Sequence, residues 1–115
     1  MILTMKKRNI FFINSLYIIL CIFFIFCDIA YSQTPTAMLS RGIEAYQRGR
    51  DDEAAELFKK IIDVAPRTGE AYYYLGLIWS KKREFSRAEL NFRKALEIDP
   101  RWSAAHEKLG IAFVE

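Results

Sequence analysis

Few residues in this sequence could do chemistry. His106 is its one histidine, and Cys21 and Cys27 are its two cysteines. A metal centre or a Cys-His nucleophile needs several such side chains converging on one point, so a histidine with no cysteine in its own segment supplies neither. Both cysteines stand inside an apolar run, and none follows Ser32. The charged part of the chain therefore has no thiolate chemistry and no disulfide. The acids Asp51-Asp52-Glu53 fall where a helix is expected to begin, and Lys81-Lys82-Arg83 where one is expected to end. Both placements complement the helix macrodipole, which accounts for the charges without a site. No phosphate-cradling glycine loop and no nucleophile motif is present. The expectation is a protein without catalytic residues, without metal and with no cofactor.

The elements that would carry any other function divide the chain in two. Lys6, Lys7 and Arg8 precede an apolar run from Ile10 to Cys27 interrupted at Asn14 and Ser15. A basic start followed by an apolar run is an export signal, and the 12 residues from Leu16 to Cys27 suit the core of a signal peptide. The full run would reach about 27 Å as a helix, just short of a hydrocarbon core of about 30 Å. Ala30-Tyr31-Ser32 then supplies the small-x-small shape that signal peptidase accepts. Cleavage near Ser32 and release to the periplasm or beyond is the leading expectation, with a membrane anchor through residues 10–27 as the alternative. Residues 1–32 are thus a signal peptide or membrane anchor, and membrane contact is expected through them alone. Residues 33–115 form the second domain. Beyond Ser32 the chain has 14 Lys and Arg against 13 Asp and Glu, so no field draws it to nucleic acid.

The second domain repeats itself. A shift of 34 residues places Thr34 on Thr68, Ala37 on Ala71, Gly42 on Gly76, Ala54 on Ala88, Phe58 on Phe92 and Pro66-Arg67 on Pro100-Arg101. A third copy starts with Ala105, Leu109 and Gly110 in the phase of Ala71, Leu75 and Gly76, with Phe113 on Trp79. A period of this length, with small, aromatic and proline residues in fixed phase, marks a solenoid of helix pairs. The small residues mark helix crossings, because glycine costs a helix about 1 kcal/mol and needs a packing reason. Phe58, Ile61, Ile62, Phe92, Ala95 and Leu96 make apolar stripes at helical spacing. Pro66 and Pro100 end helices, Thr34-Pro35 opens one, and Asp52 and the box Ser86-x-x-Glu89 are expected to cap two more. The helices should lie near 35–48, 52–64, 69–82, 86–98 and 102–115.

Tyr72-x-x-Leu75-Gly76-x-x-Trp79, followed by Ala88, Phe92, Ala95 and Pro100, resembles the tetratricopeptide repeat. The resemblance implies an all-α fold: a right-handed α-solenoid of antiparallel helix pairs, about two and a half repeats (35–68, 69–102 and a partial 103–115), after the N-terminal hydrophobic helix. The first copy departs from the pattern at Arg41, where the family has an apolar residue, and at Asp51, where it has an aromatic. His106 stands in the phase of Tyr72 and is expected to face the packing between helices.

One feature exceeds structural need. Beside the face made by Tyr72, Leu75, Gly76 and Trp79, the same helix carries Tyr73, Tyr74 and Leu77, followed by Lys81, and the first helix carries Leu39, Ile43 and Tyr46. In the family, such faces line a concave groove that takes a partner peptide. The groove expected here is Leu39, Ile43, Tyr46, Tyr73, Tyr74, Leu77, Lys81 and Lys108. Family members that grip a C-terminal carboxylate use Lys and Asn where this chain has Leu39, Ile43 and Tyr74, and Lys108 alone keeps a suitable charge. An apolar or amphipathic helical segment of another protein is the expected guest. The alternative is a membrane-anchored assembly subunit whose groove is filled by its own copies. Separately, Ile111, Phe113 and Val114 of the last helix are expected to be partly uncovered, so that the array self-associates.

Overall fold

A computed structural model describes the backbone of residues 2–114 and the side chains of residues 7–112 and 114. Six α-helices and no strand occupy the described residues: α1 (Ile2–Ser32), α2 (Pro35–Gln47), α3 (Asp51–Val64), α4 (Gly69–Lys81), α5 (Phe85–Ile98) and α6 (Ser103–Val114). The chain divides into two units, Met1–Thr34 and Pro35–Glu115.

The first unit is α1. Lys7–Ser32 is a 26-residue stretch long and apolar enough to cross a membrane. At 1.5 Å per residue it reaches about 39 Å, more than the roughly 30 Å of a hydrocarbon core. The helix runs unbroken through Ala30 and Tyr31. It closes with the Ser32 and Thr34 hydroxyls donating to the Ile29 and Tyr31 carbonyls, each at 2.9 Å.

The second unit is built from α2 to α6, helices of 12 to 14 residues. Isolated helices of that length are marginal in water, so their stability comes from packing. Phe58 and Ile61 of α3 and Phe92 and Ala95 of α5 are fully buried, while Ile62 and Leu96 are half-buried. The repeated glycines receive the repeated rings. A methyl group on Gly42 would fall 2.7 Å from the Phe58 ring, and one on Gly76 would fall 2.5 Å from the Phe92 ring. Gly110, third in phase, has open space there.

The turn inside each pair is made the same way twice. Gly49 (φ 76°) and Arg83 (φ 61°) both take the left-handed backbone. The Arg50 and Glu84 amides then reach back to the Ala45 and Trp79 carbonyls at 2.9 Å, and the Gly49 and Arg83 amides to the Tyr46 and Ser80 carbonyls at 3.0 Å. This double bond pattern is the Schellman motif. Between pairs, Ala65 (ψ 75°) and Asp99 (ψ 94°) leave the helical region directly before Pro66 and Pro100, as the proline ring requires of its predecessor.

Successive helices pack on one another, and α4 also touches α2 and α6, whereas α3 and α5 do not touch among the described residues. The first helices of the pairs are therefore the closer set, and the array curves with α2, α4 and α6 on its inner side.

Three local expectations need correction. Asp52 and Ser86 do not cap: α3 and α5 begin earlier, at Asp51 and Phe85, behind Arg50 and Glu84, which make no side-chain cap bond. The Schellman turn sets where the chain re-enters a helix and so overrides the local capping signal. His106 does not face the interior; it is exposed, with its Nε2–H donating to the Pro100 carbonyl at 2.9 Å. Its counterpart Tyr72 is itself half-buried, with the Lys94 ammonium 5.7 Å from the ring centroid, so this repeat position is an edge. In the last helix Ile111 and Val114 are exposed. The Phe113 side chain and Glu115 lie outside the described residues.

Candidate functional site

The α2 and α4 helices bring most of the expected groove residues onto neighbouring turns. Leu39, Ile43, Tyr46, Tyr73, Tyr74 and Leu77 are all half-buried. Three of the rings form a connected row. Tyr46 meets Tyr74 edge-on at 5.4 Å between centroids, and Tyr74 meets Tyr73 edge-on at 5.6 Å. Edge-to-face pairs of this kind set the positive rim of one ring against the negative face of the next.

The row is anchored from beneath. Tyr74 stacks on the buried Phe58 ring at 5.3 Å with planes 11° apart, and Leu39, Ile43, Tyr46 and Tyr74 pack against the buried cluster that includes Met38, Phe58 and Leu75. Tyr73 leans the other way, onto Trp102 at 4.7 Å and Phe92 at 5.9 Å, and burial raises its phenol above the ordinary tyrosine value. Tyr74 is thus as much a core residue as a surface one. Leu77 is half-buried without belonging to that cluster.

Charge is arranged across the same helices. The Lys81 ammonium lies 4.0 Å from the Tyr46 ring centroid and 3.3 Å from an Asp51 carboxylate oxygen. Beside it Lys82 bonds Asp52, and that contact holds the Asp52 carboxyl below its ordinary value. The departure at Asp51 is therefore compensated, since an acid stands in for an aromatic and a lysine of the next helix pairs with it. Lys108, half-buried on α6, makes no ion pair or ring contact among the described residues.

Two partners of this face escape a reading of the sequence. Trp102 sits at the end of the second repeat, directly before α6, where neither the period nor helical spacing points at Tyr73. The Asp51–Lys81 pair joins residues 30 apart in sequence, and only the opposite signs of the two runs point to it. A separate depression is lined by Arg67, Glu70, Ile98, Asp99 and Trp102; its mixed charges select no ligand class. Among the described residues no group of three His, Cys, Asp or Glu could hold a metal ion.

Comparison with known proteins agrees with this architecture. The family profile described as tetratricopeptide repeat matches residues 69–101, the α4–α5 pair. Superkiller complex protein 3 of Mus musculus is 26% identical over 80 residues, covering 70% of this chain and 5% of its own length. The crystal structure of MamA superposes with a TM-score of 0.67 at 22% identity, over 71% of this chain and 48% of MamA. The first such domain of Spaghetti (RPAP3), bound to the HSP90 peptide SRMEEVD, gives a TM-score of 0.66 at 21% identity, over 70% of this chain and 64% of its own. This chain therefore spans a small part of the curated relative and half to two thirds of the solved chains. With the α4–α5 pair matched by sequence as a tetratricopeptide repeat, a like pair before it in α2–α3 and a first half after it in α6, this chain has the fold of a tetratricopeptide-repeat array.

Proposed function

We propose that the array is a non-catalytic scaffold whose inner face holds an apolar or amphipathic helical segment of another protein, and that α1 brings it to a membrane, or through one once cut near Ser32. The observation that supports this best is the gathering of Leu39, Ile43, Tyr46, Tyr73 and Leu77, all half-buried, on α2 and α4. Large side chains in a concavity are those a guest desolvates most fully. The Lys81 charge is already met by Asp51. An acid-rich peptide such as the one in the RPAP3 structure would find Lys108 as the remaining cation of the set, which favours an apolar guest here.

The test is to capture the partner with the array, identify it by mass spectrometry and titrate it by calorimetry. Ile43→Ala with Leu77→Ala should weaken binding by about 2 to 4 kcal/mol, the range of central anchors, with any loss of melting temperature coming from Ile43, which packs against the buried cluster, and little from Leu77, which does not. Tyr74→Ala should lower both affinity and melting temperature, because its ring stacks on Phe58. An affinity unchanged in the double variant would remove the inner face as the binding surface.

A second reading, a membrane-anchored subunit that associates with its own copies, is favoured by the 26-residue length of Lys7–Ser32. The mature N-terminus and the oligomeric state together separate the two: a start at Gln33 removes the anchored reading, and an intact start with a self-associated chain in sedimentation supports it.

A further inference from the structure

We infer that α1, retained in the membrane, pairs in parallel with α1 of a second copy of this chain along the seam Phe11, Asn14, Ile18, Cys21, Ile25 and Asp28. The inference rests on the membrane-anchored reading of α1. Asn14, Cys21 and Asp28 recur at seven-residue intervals, and Phe11, Ile18 and Ile25 recur at the same interval beside them. A heptad of this kind keeps one face of a helix against a partner as the two wind round each other. Asn14, Cys21 and Asp28 thus share one stripe, while Phe12, Phe23 and Ala30 lie on the opposite side.

The shape of the helix surface points to the same face. Phe11, Asn14, Ser15 and Ile18 border a depression. They stand at i, i+3, i+4 and i+7, the diamond of four side chains that receives one side chain from a facing helix. Asn14 itself is exposed on α1. A carboxamide in hydrocarbon needs a polar partner, and polar side chains in spanning helices turn toward other helices.

A second copy meets that need without any other molecule. An amide carries both donors and acceptors, so Asn14 of one copy complements Asn14 of another across a two-fold axis. The basic residues ahead of the run orient every copy alike, which makes the pair parallel and places Cys21 opposite Cys21 at one depth. Lys7 and Asp28 lie about 32 Å apart along the helix, so the charged ends of the seam sit at opposite membrane surfaces, in reach of water.

The native cysteines supply the test, since the array has none. Cys27 follows Cys21 by six residues, which turns it about 120° away round the helix. It is also the more exposed of the two thiols. The full chain in isolated membranes is oxidised with copper phenanthroline, in which two facing thiols lose their electrons to copper(II) and their protons to the buffer as the disulfide forms. Cys27→Ser, which keeps Cys21, should yield covalent dimer at least tenfold faster than Cys21→Ser, which keeps Cys27. Adding Asn14→Leu to Cys27→Ser should slow coupling severalfold. Equal rates, faster coupling through Cys27, or no dimer from intact membrane-bound chain would overturn the seam. A mature protein that begins at Gln33 and lacks cysteine would instead overturn the anchored reading on which the seam rests.

Discussion

The first and second repeats use one backbone plan with different residues at its edges, and the difference separates what the period specifies from what it leaves open. Gly42 under Phe58 and Gly76 under Phe92 are near copies, with a ring 2.7 Å and 2.5 Å from where a methyl would stand. Elsewhere the copies diverge. The position of Leu75, 4% exposed, is held in the first repeat by Arg41, which is solvent-exposed. The left-handed turn residue is Gly49 in one and Arg83 in the other. Positions enclosed on both sides by helices admit one solution. Positions at the rim admit several, because solvent or a neighbouring charge can finish the packing.

The largest effect should come from truncating the enclosed member of the divergent pair. Leu75→Ala should cost about 2 to 5 kcal/mol of folding stability, whereas Arg41→Ala should stay within about 0.5 kcal/mol, both read from urea melts. Similar losses at the two sites would mean that the first repeat is as closed as the second. A middle-sized effect is expected at the crossings. Gly76→Ala should destabilise by about 1 to 3 kcal/mol as Phe92 is pushed aside, while Gly110→Ala, facing open space, should stabilise α6 by up to about 1 kcal/mol through helix propensity. The smallest effect sits in the turns. Arg83→Gly should raise stability by a few tenths to about 1 kcal/mol by relieving a left-handed backbone, and Gly49→Ala should lower it by about the same. A loss of stability in Arg83→Gly would show that the arginine side chain does more than tolerate its backbone.

The same contrast explains how much could be read from residues alone. The 34-residue phase and the helix ends before the prolines, at Val64 and Ile98, are legible to the residue, because Pro66 and Pro100 act through covalent geometry. The starts of α3 and α5 are not. Asp52 and Ser86 have the chemistry of caps, yet the Schellman turns at Gly49 and Arg83 carry the chain into the helix a residue early. His106 was misplaced for a related reason, since its repeat position is an edge even where tyrosine fills it. On the inner face, helical spacing placed the aliphatic and aromatic residues together. It could not reveal that Tyr74 is committed to Phe58, that Tyr73 leans on Trp102, or that Lys81 is held by Asp51, because those contacts depend on how one helix pair lies on the next.

The central claim is that a guest docks on the inner side of the array, against α2 and α4, and not on the outer helices. Methyl-resolved NMR of the array with its captured partner segment tests this most directly. Val64 of α3 and Leu90 of α5 are exposed methyl-bearing residues of the outer set; Leu39, Ile43 and Leu77 belong to the inner one. The account predicts that the Leu39, Ile43 and Leu77 methyls shift as partner is added while those of Val64 and Leu90 stay in place. Shifts at Val64 and Leu90 with silent inner methyls would contradict it.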